Sequence, residues 1–140
     1  MKFMNLLRNS GINVYDELTQ REKLAALNLM VVFGGSGSGN IIELKRINSI
    51  ISEEAKIMRV PPYEMHIQQF SGMVDMIESI KNINKNALER LFWAYYRIFA
   101  ACKSKEGILV LWKIYNELGF SESDCVKILE EKTGRKLSDL

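Results

Sequence analysis

The chain of 140 residues has few of the residues that break a helix, cross-link a fold or bind a metal. Its two prolines stand together at positions 61 and 62, so long helices can run on either side of that pair. Two cysteines and one histidine do not provide a disulfide framework, and neither cysteine has metal-ligand spacing to the histidine. Cys102 and Cys125 are therefore expected to be buried thiols in a reducing compartment, and the chain is predicted to be cytoplasmic.

A strong charge imbalance and long apolar segments are also missing. The formal net charge of +2 is too small to require a polyanionic partner, which argues against nucleic acid. No apolar run approaches the ~20 residues needed to cross a bilayer. The first eight residues lack the long apolar region and the cleavage site of a secretory signal. The sequence therefore predicts no membrane insertion.

Apolar residues at three- and four-residue steps predict helices in the first half of the chain. Thr19 and Glu22 have the spacing of a capping box, which opens a strongly apolar helix. Asn40 and Glu43 repeat this spacing and open a second helix, which the proline pair ends. The inner face predicted for the second helix consists of Ile41, Leu44, Ile47, Ile51, Ala55 and Met58.

The same reasoning predicts further helices in the second half of the chain. One begins at Pro62 and is broken or kinked at Gly72. Asn86 is predicted to cap a long apolar helix, and Ser121 opens the last helix, which Gly134 ends. The residues expected on the inner face of the helix after Pro62 are Tyr63, Ile67 and Phe70.

These segments predict a single compact all-α domain of six to eight helices over residues 1–140. Residues 1–18 form its N-terminal lead-in, with a short amphipathic helix at 2–8. Residues 34–40 form a glycine-rich loop between two helices, and residues 134–140 form a tail.

Placing Val60 on Phe120 aligns the apolar positions of two halves, each with a buried helix, a short link, an amphipathic helix, a sharp turn and a short helix. The period of helical hairpins produces part of this match, so duplication and coincidence both stay open. The pattern resembles the TerB-like (tellurite-resistance) family of all-helical domains. The residues that carry the resemblance are Phe99-Ala100-Ala101-Cys102, Glu106 and Leu118-Gly119-Phe120-Ser121.

The resemblance implies the family's fold, but the chain departs from the family at one place. The acidic link in which metal binding is suspected is replaced here by glycine and serine at 34–39 and by Cys102-Lys103-Ser104-Lys105. Only Glu43 and Glu106 stand near these positions, so the resemblance does not imply a complete metal site.

The glycine-rich loop has the outline of a phosphate-binding loop, because Gly34 and Gly39 have Gly-x-x-x-x-Gly spacing. The next residues are Asn40 and Ile41 instead of the lysine and the serine or threonine that bind phosphates and Mg²⁺. No strand precedes the loop. The sequence therefore favours a structural link with a capped exit, and no nucleotide cofactor is predicted.

Acidic residues provide the remaining candidates for a site. Asp75 and Glu78 are three residues apart and share one helical face, so they join Glu43 and Glu106 as candidate metal ligands. The Glu53-Glu54 pair is expected to lie on a solvated face. His66 is interpreted as a surface or packing residue, and no catalytic group is predicted.

The sequence therefore predicts a non-catalytic, cytoplasmic helical module that binds a protein partner or forms a homo-oligomer, with a stress-associated role implied by the TerB-like resemblance. The alternative is a nucleic-acid-binding or regulatory helical domain. The helix pair 107–118 and 121–132 could mimic a helix-turn-helix. However, the second helix of that pair is acidic.

Overall fold

The computed structural model describes residues 13–35 and 39–134, and no strand occurs in these ranges. The helices are α1 (Gln20–Gly35), α2 (Ile41–Met58), α3 (Met73–Ile80), α4 (Lys85–Ala101), α5 (Lys105–Glu117) and α6 (Glu122–Thr133). A 3-10 turn, Pro62–Glu64, lies between α2 and α3. The predicted all-α fold is confirmed. The predicted helix at 2–8 and the tail beyond Gly134 lie outside the described residues.

Most of the predicted helix starts are confirmed by hydrogen bonds. The Thr19 hydroxyl accepts the Glu22 amide at 3.1 Å, and the Glu22 carboxylate accepts the Thr19 amide at 2.8 Å. Asn40 accepts the Glu43 amide at 2.9 Å, and Ser121 caps α6 in a reciprocal pair with Asp124. These caps satisfy amides that have no partner inside their own helix.

The predicted cap of α4 is wrong by two residues. Asn84 is the N-cap, and its side chain accepts the Ala87 amide at 2.8 Å, whereas Asn86 lies inside the first turn. The carboxamide of Asn84 also donates to the carbonyl of Val14 at 3.4 Å. This long-range contact, which the sequence does not display, ties the start of α4 to the segment before α1.

Helix α4 is the centre of the core, because it packs against α1, α2, α5 and α6. The ring of Phe33 on α1 lies 5.2 Å from that of Tyr95 and 4.8 Å from that of Phe99, measured between centroids. Nearer the start of α4, the ring of Phe92 lies 4.8 Å from that of Tyr115 on α5. Each ring buries a large apolar area, so these contacts join three helices.

The glycine-rich loop begins later than predicted, since Gly34 and Gly35 belong to α1. Gly34 is buried, and a Cβ added there would lie 2.5 Å from Cγ2 of Ile47 on α2. The first glycine of the predicted loop therefore permits the close packing of α1 on α2. A role as a flexible phosphate cradle does not fit a buried helical residue.

Two predicted inner faces are wrong in part, since Ile47, Ile51, Ala55 and Met58 are buried and Phe70 packs against the core, but other members are exposed. Ile41 and Leu44 on the first turns of α2 are exposed, and the buried part of that helix begins at Ile47. After Pro62 the chain forms only the 3-10 turn, and both Tyr63 and Ile67 are exposed. Helical periodicity alone cannot show where a neighbouring helix stops, so it extends a buried face too far.

The alignment of Val60 with Phe120 corresponds to one turn geometry at both positions. The Val60 amide donates to the Ala55 carbonyl at 2.9 Å, and the Phe120 amide donates to the Tyr115 carbonyl at 2.9 Å. The residue before each has a positive φ, 61° and 99° respectively. Both helices thus end in a Schellman motif. The two halves differ afterwards, because a 3-10 turn follows the first motif and α6 follows the second.

Candidate functional site

Glu54 is the charged residue that the described structure buries completely. It lies on α2 in the stripe that also contains Ile47, Ile51 and Met58, and this stripe faces the core. A carboxylate in such a position loses its hydration, which is unfavourable unless charged or polar partners replace the water. We therefore treat Glu54 and its neighbours as the first candidate for a functional site.

Three groups from distant parts of the chain surround the Glu54 carboxylate. Arg90 of α4 donates to both carboxylate oxygens, from Nε at 2.9 Å and from Nη2 at 2.6 Å. The Tyr15 hydroxyl donates to Oε1 at 2.6 Å. Nη2 of Arg97, about two turns further along α4, lies 3.5 Å from Oε2. The fork of Arg90 matches the carboxylate plane, which is the strong geometry for this kind of pair.

The pKa values of the partners follow from burial and from the carboxylate. Burial, followed by the negative charge of Glu54, raises the pKa of Tyr15 well above its usual range. The hydrogen bond to Glu54 raises the pKa of Arg90 above its usual range. Tyr15 therefore remains a neutral donor and Arg90 remains a cation over the whole physiological pH range.

Arg97 is held less closely than Arg90. Its Nε and Nη2 are buried and have no hydrogen-bond acceptor in the described part of the chain. Its guanidinium carbon lies 5.4 Å from the centroid of the Trp93 ring, and Trp93 stacks on Tyr96 at 6.2 Å. Glu53 also approaches both arginines, at 3.4 Å from Arg90 and 3.9 Å from Arg97. Glu53 is exposed, so the side of the cluster on which it meets Nη2 of Arg90 and Nη1 of Arg97 is where a ligand could reach these cations.

The geometry of Glu54 itself fits a structural role. Its oxygens are engaged by Arg90 and Tyr15, and its side chain is fully buried, so a substrate cannot approach it. Removing one partner of a buried ion pair typically costs about 3–5 kcal/mol, because the other charge is left uncompensated. The cluster therefore fixes α2, α4 and the segment before α1 relative to one another.

The buried tyrosines of the core are likewise engaged. The Tyr95 hydroxyl donates to the Ala26 carbonyl at 3.1 Å, and the Tyr115 hydroxyl donates to the Leu88 carbonyl at 2.7 Å. Burial raises the pKa of both phenols above their usual range. Each hydroxyl thus satisfies a main-chain carbonyl inside the core.

Two of the candidate metal ligands, Glu43 and Glu106, lie in the first turns of different helices. The Glu43 carboxylate accepts the Asn40 side-chain amide at 2.7 Å and thereby stabilises the start of α2. Glu106 is exposed in the first turn of α5, where its negative charge interacts favourably with the helix dipole.

The other two candidate ligands share α3 but have separate partners. Asp75 pairs with Arg21 at 3.2 Å and accepts the Ser71 amide at 3.0 Å. The hydrogen bond from the Ser71 amide, together with Arg21, lowers the pKa of Asp75. Glu78 pairs with Lys81 at 2.6 Å. Within residues 13–35 and 39–134, no three His, Cys, Asp or Glu side chains come together as a metal-binding group.

The cysteines and the histidine are placed as interpreted from the sequence. Cys102 and Cys125 are free and buried. Burial raises the pKa of the Cys125 thiol to about 11 and also raises that of Cys102. Both side chains are therefore neutral thiols at physiological pH, and a thiol is a poor nucleophile. His66 is exposed in the turn after the 3-10 segment.

Exposed apolar side chains form a second candidate site, separate from the buried Glu54 cluster. The first turns of α2 expose 69% of Ile41, 64% of Ile42 and 43% of Leu44. The other large apolar residues exposed in the described ranges are Val31, Val32, Tyr63, Ile67, Met73, Val74, Leu109 and Val110. Clustered apolar exposure of this kind marks interaction surfaces more often than isolated residues do.

A shallow groove between α5 and α6 presents a further apolar surface. It has a volume of about 440 Å³ and is lined by Leu109, Trp112, Phe120 and Cys125, among other residues. A second depression, of about 390 Å³, lies on the other side of Phe120. Both are open, and neither contains a cluster of perturbed acids or bases of the kind found in catalytic sites.

The helix pair α5 and α6 carries acidic residues where a recognition helix would approach DNA. Glu122 and Asp124 lie in the first turn of α6, and the Asp124 carboxylate accepts the Ser121 amide at 2.9 Å. This hydrogen bond lowers the pKa of Asp124. A negative charge in this turn repels phosphate groups, so the geometry does not favour the nucleic-acid alternative.

Among the described helices, none is both long and apolar enough to cross a bilayer. A comparison with protein-family models, curated proteins and solved structures finds no match to this chain.

The sequence reasoning missed the buried ion cluster, since it placed Glu53 and Glu54 together on a solvated face. Only Glu53 is exposed. A signal was present, because Glu54 stands seven residues after Ile47 and four before Met58, in the register of the buried stripe. Its partners Tyr15 and Arg90 are 39 and 36 residues away, and no local pattern connects them.

Proposed function

We propose that this chain is a non-catalytic cytoplasmic interaction module, TerB-like in arrangement, and that it associates with a second copy of itself. The contact surface that we propose is the α2 tip, which consists of Ile41, Ile42 and Leu44 together with the charged residues Glu43, Lys45 and Arg46. The proposal includes the stress-associated role that the resemblance to the TerB-like family implies.

The observation that carries the proposal is the apolar exposure of the α2 tip. Three large aliphatic side chains within four residues project into solvent, and Asn40 caps the helix that presents them. Each large aliphatic side chain is worth about 1.5–3 kcal/mol when it moves from water into an apolar contact. A fixed helix that displays such residues is suited to pack against another protein.

Charge at the α2 tip favours a second copy as the partner. Glu43 precedes Lys45 and Arg46 on the same helix. A twofold contact places the same patch on both subunits, so two antiparallel tips can bring the carboxylate of each copy near the cations of the other. Stable interfaces bury roughly 800 Å² per partner, so a contact centred on three side chains is expected to be weak.

A non-catalytic role is supported by the engagement of the groups that could otherwise react. Glu54, Tyr95 and Tyr115 are buried in hydrogen bonds, and the pKa of Cys125 is raised to about 11. A cytoplasmic location is supported by the two free, buried cysteines, because reduced thiols are typical of reducing compartments.

The proposal is tested by sedimentation velocity on purified protein from about 10 µM to about 1 mM, a range that covers weak dimers. We expect the sedimentation coefficient to rise with concentration in the unmodified chain and to stay at the monomer value in Ile41→Ser/Ile42→Ser. The matched control is Leu109→Ser/Val110→Ser, which removes two exposed apolar residues from α5. A monomer at all concentrations, or equal loss in both variants, would contradict the proposal.

A further inference from the structure

Arg97 has hydrogen-bond donors that its neighbours do not use. Arg90 already supplies two short hydrogen bonds to the buried Glu54 carboxylate, and Tyr15 supplies a third. Arg97 approaches the same carboxylate only at 3.5 Å, without a hydrogen bond. A guanidinium has five N–H donors in a rigid fork, and this one is not fixed by any of them within the described residues.

Glu53 shows where an additional carboxylate would lie. Its Oε1 is 3.4 Å from Nη2 of Arg90 and its Oε2 is 3.9 Å from Nη1 of Arg97. Charge-assisted N–H···O contacts are normally about 2.7–2.9 Å long, so the tether to α2 holds Glu53 too far away for two good contacts. Its side chain is 54% exposed, and it can turn into solvent without disturbing the core.

Charge balance around the two arginines depends on Glu53. Glu54 neutralises one of the two guanidinium groups, and Glu53 lies against the remaining charge. When Glu53 turns away, Arg90, Arg97 and Glu54 together carry one net positive charge. An untethered carboxylate can then take the position of Glu53, with one oxygen at hydrogen-bonding distance from Nη2 of Arg90 and the other from Nη1 of Arg97.

An aromatic wall lies beside this position. Trp93 and Tyr96 are half-buried on α4 and stack nearly in parallel, at 13°. The Arg97 guanidinium lies over the Trp93 ring, which orients its plane and reports on its position. A ligand that carries a carboxylate on an apolar body would find a charged group and an aromatic surface side by side.

We propose that Arg90 and Arg97 form a binding site for a ligand carboxylate, and that Glu53 occupies this site as an internal substitute when no ligand is bound. The site does not depend on self-association through the α2 tip. Glu53 lies twelve residues along α2 from Ile41, or roughly 18 Å at 1.5 Å per residue. Either proposal can therefore fail while the other stands.

The first test uses Trp93 as a reporter in the full chain. Trp112→Phe leaves Trp93 as the one tryptophan, because the sequence contains two. Sodium acetate is titrated to about 200 mM against sodium chloride at equal ionic strength, which separates binding from screening. The capped peptide acetyl-Ala-Glu-Ala-amide is titrated in parallel, with acetyl-Ala-Gln-Ala-amide as its uncharged control. We expect a saturable change in Trp93 fluorescence and a shift of the Arg97 Nε–H resonance in NMR spectra.

The two carboxylate probes distinguish two sources of the ligand. Saturation by the glutamate peptide at lower concentration than by acetate assigns the carboxylate to an acidic segment of a protein. Equal saturation assigns it to a small carboxylate. Both results support the site, and the absence of a saturable response to either probe overturns it.

Three variants connect the response to the proposed residues. Glu53→Ala removes the internal carboxylate from an exposed position, so we expect binding at least about threefold tighter. Glu117→Ala removes one negative charge from an exposed position on α5 and is expected to have no such effect. Arg97→Lys keeps the charge but loses the planar guanidinium whose Nη1 meets Glu53, and should bind about tenfold more weakly. Equal affinities in Glu53→Ala and Glu117→Ala would overturn the proposal even if Arg97→Lys proved unstable.

Discussion

The two halves of helix α2 differ in which side chains they bury, because the first exposes apolar residues and the second buries a charged one. Its first turns leave Ile41, Ile42 and Leu44 in solvent, whereas its last turns bury Glu54 completely. The difference lies in the neighbours and not in the residue types. The later half meets Arg90 and Tyr15, which satisfy the carboxylate, and the first turns have no apolar cover in the described structure. Burial is thus set by what packs alongside the helix.

The boundary between the two halves of α2 lies at Ile47. This is the first buried residue of the helix, and it meets Gly34 of α1 in a contact that leaves no room for a side chain. Before this point α2 presents a surface to solvent, and after it the helix belongs to the core. We infer that the first half is available for binding and that the second half holds the fold.

The largest change in the free energy of unfolding is expected at Glu54, in the buried half of α2. Glu54→Ala leaves Arg90 and Tyr15 without their acceptor in the interior, and we expect a loss of about 3–5 kcal/mol in the free energy of unfolding. Glu53→Ala, one residue away and exposed, should cost about 1 kcal/mol or less. Urea denaturation followed by circular dichroism measures both values.

Similar losses in the two glutamate variants would show that Glu54 is not the buried member of the pair. Glu54→Gln is the second variant if Glu54→Ala does not fold. It keeps the side-chain volume and one acceptor oxygen but removes the charge that balances Arg90.

A smaller change in the free energy of unfolding is expected when an isoleucine in each half of α2 is replaced by alanine. Ile51→Ala removes a buried side chain and should lower the free energy of unfolding by about 2–4 kcal/mol. Ile41→Ala removes an exposed one and should change it by about 0.5 kcal/mol or less at low protein concentration. The same urea denaturation compares these variants. Equal costs would mean that the α2 tip is packed and would remove the basis for a binding surface there.

The sequence predicted the features of α2 that depend on local chemistry. The Asn40 cap, the helix itself and its end before Pro61 require only neighbouring residues, and each is confirmed. The inner face was predicted from periodicity, which is correct at Ile47 and Ile51 and wrong at Ile41 and Leu44. Periodicity describes the direction of a side chain and not the length of the neighbour that covers it.

The candidate site was beyond local reasoning. Glu54 was interpreted as a solvated residue because most glutamates are, and its partners come from segments 36 and 39 residues away. The Asn84 cap was missed because Asn86 is followed three residues later by Glu89, which is the spacing of a capping box. The candidate metal ligands Asp75 and Glu78 share a helix as predicted, and each has its own basic partner.

Hydrogen exchange along α2 at two protein concentrations is the most direct test of the difference between the two halves of this helix. We predict that raising the concentration from about 20 µM to about 1 mM, across the range of a weak dimer, slows exchange of the amides of Leu44, Lys45 and Arg46. Exchange over 51–58 should stay unchanged, because that half is already packed in the monomer. Slower exchange over 51–58 alone, or no dependence on concentration in either half, would contradict self-association through the α2 tip.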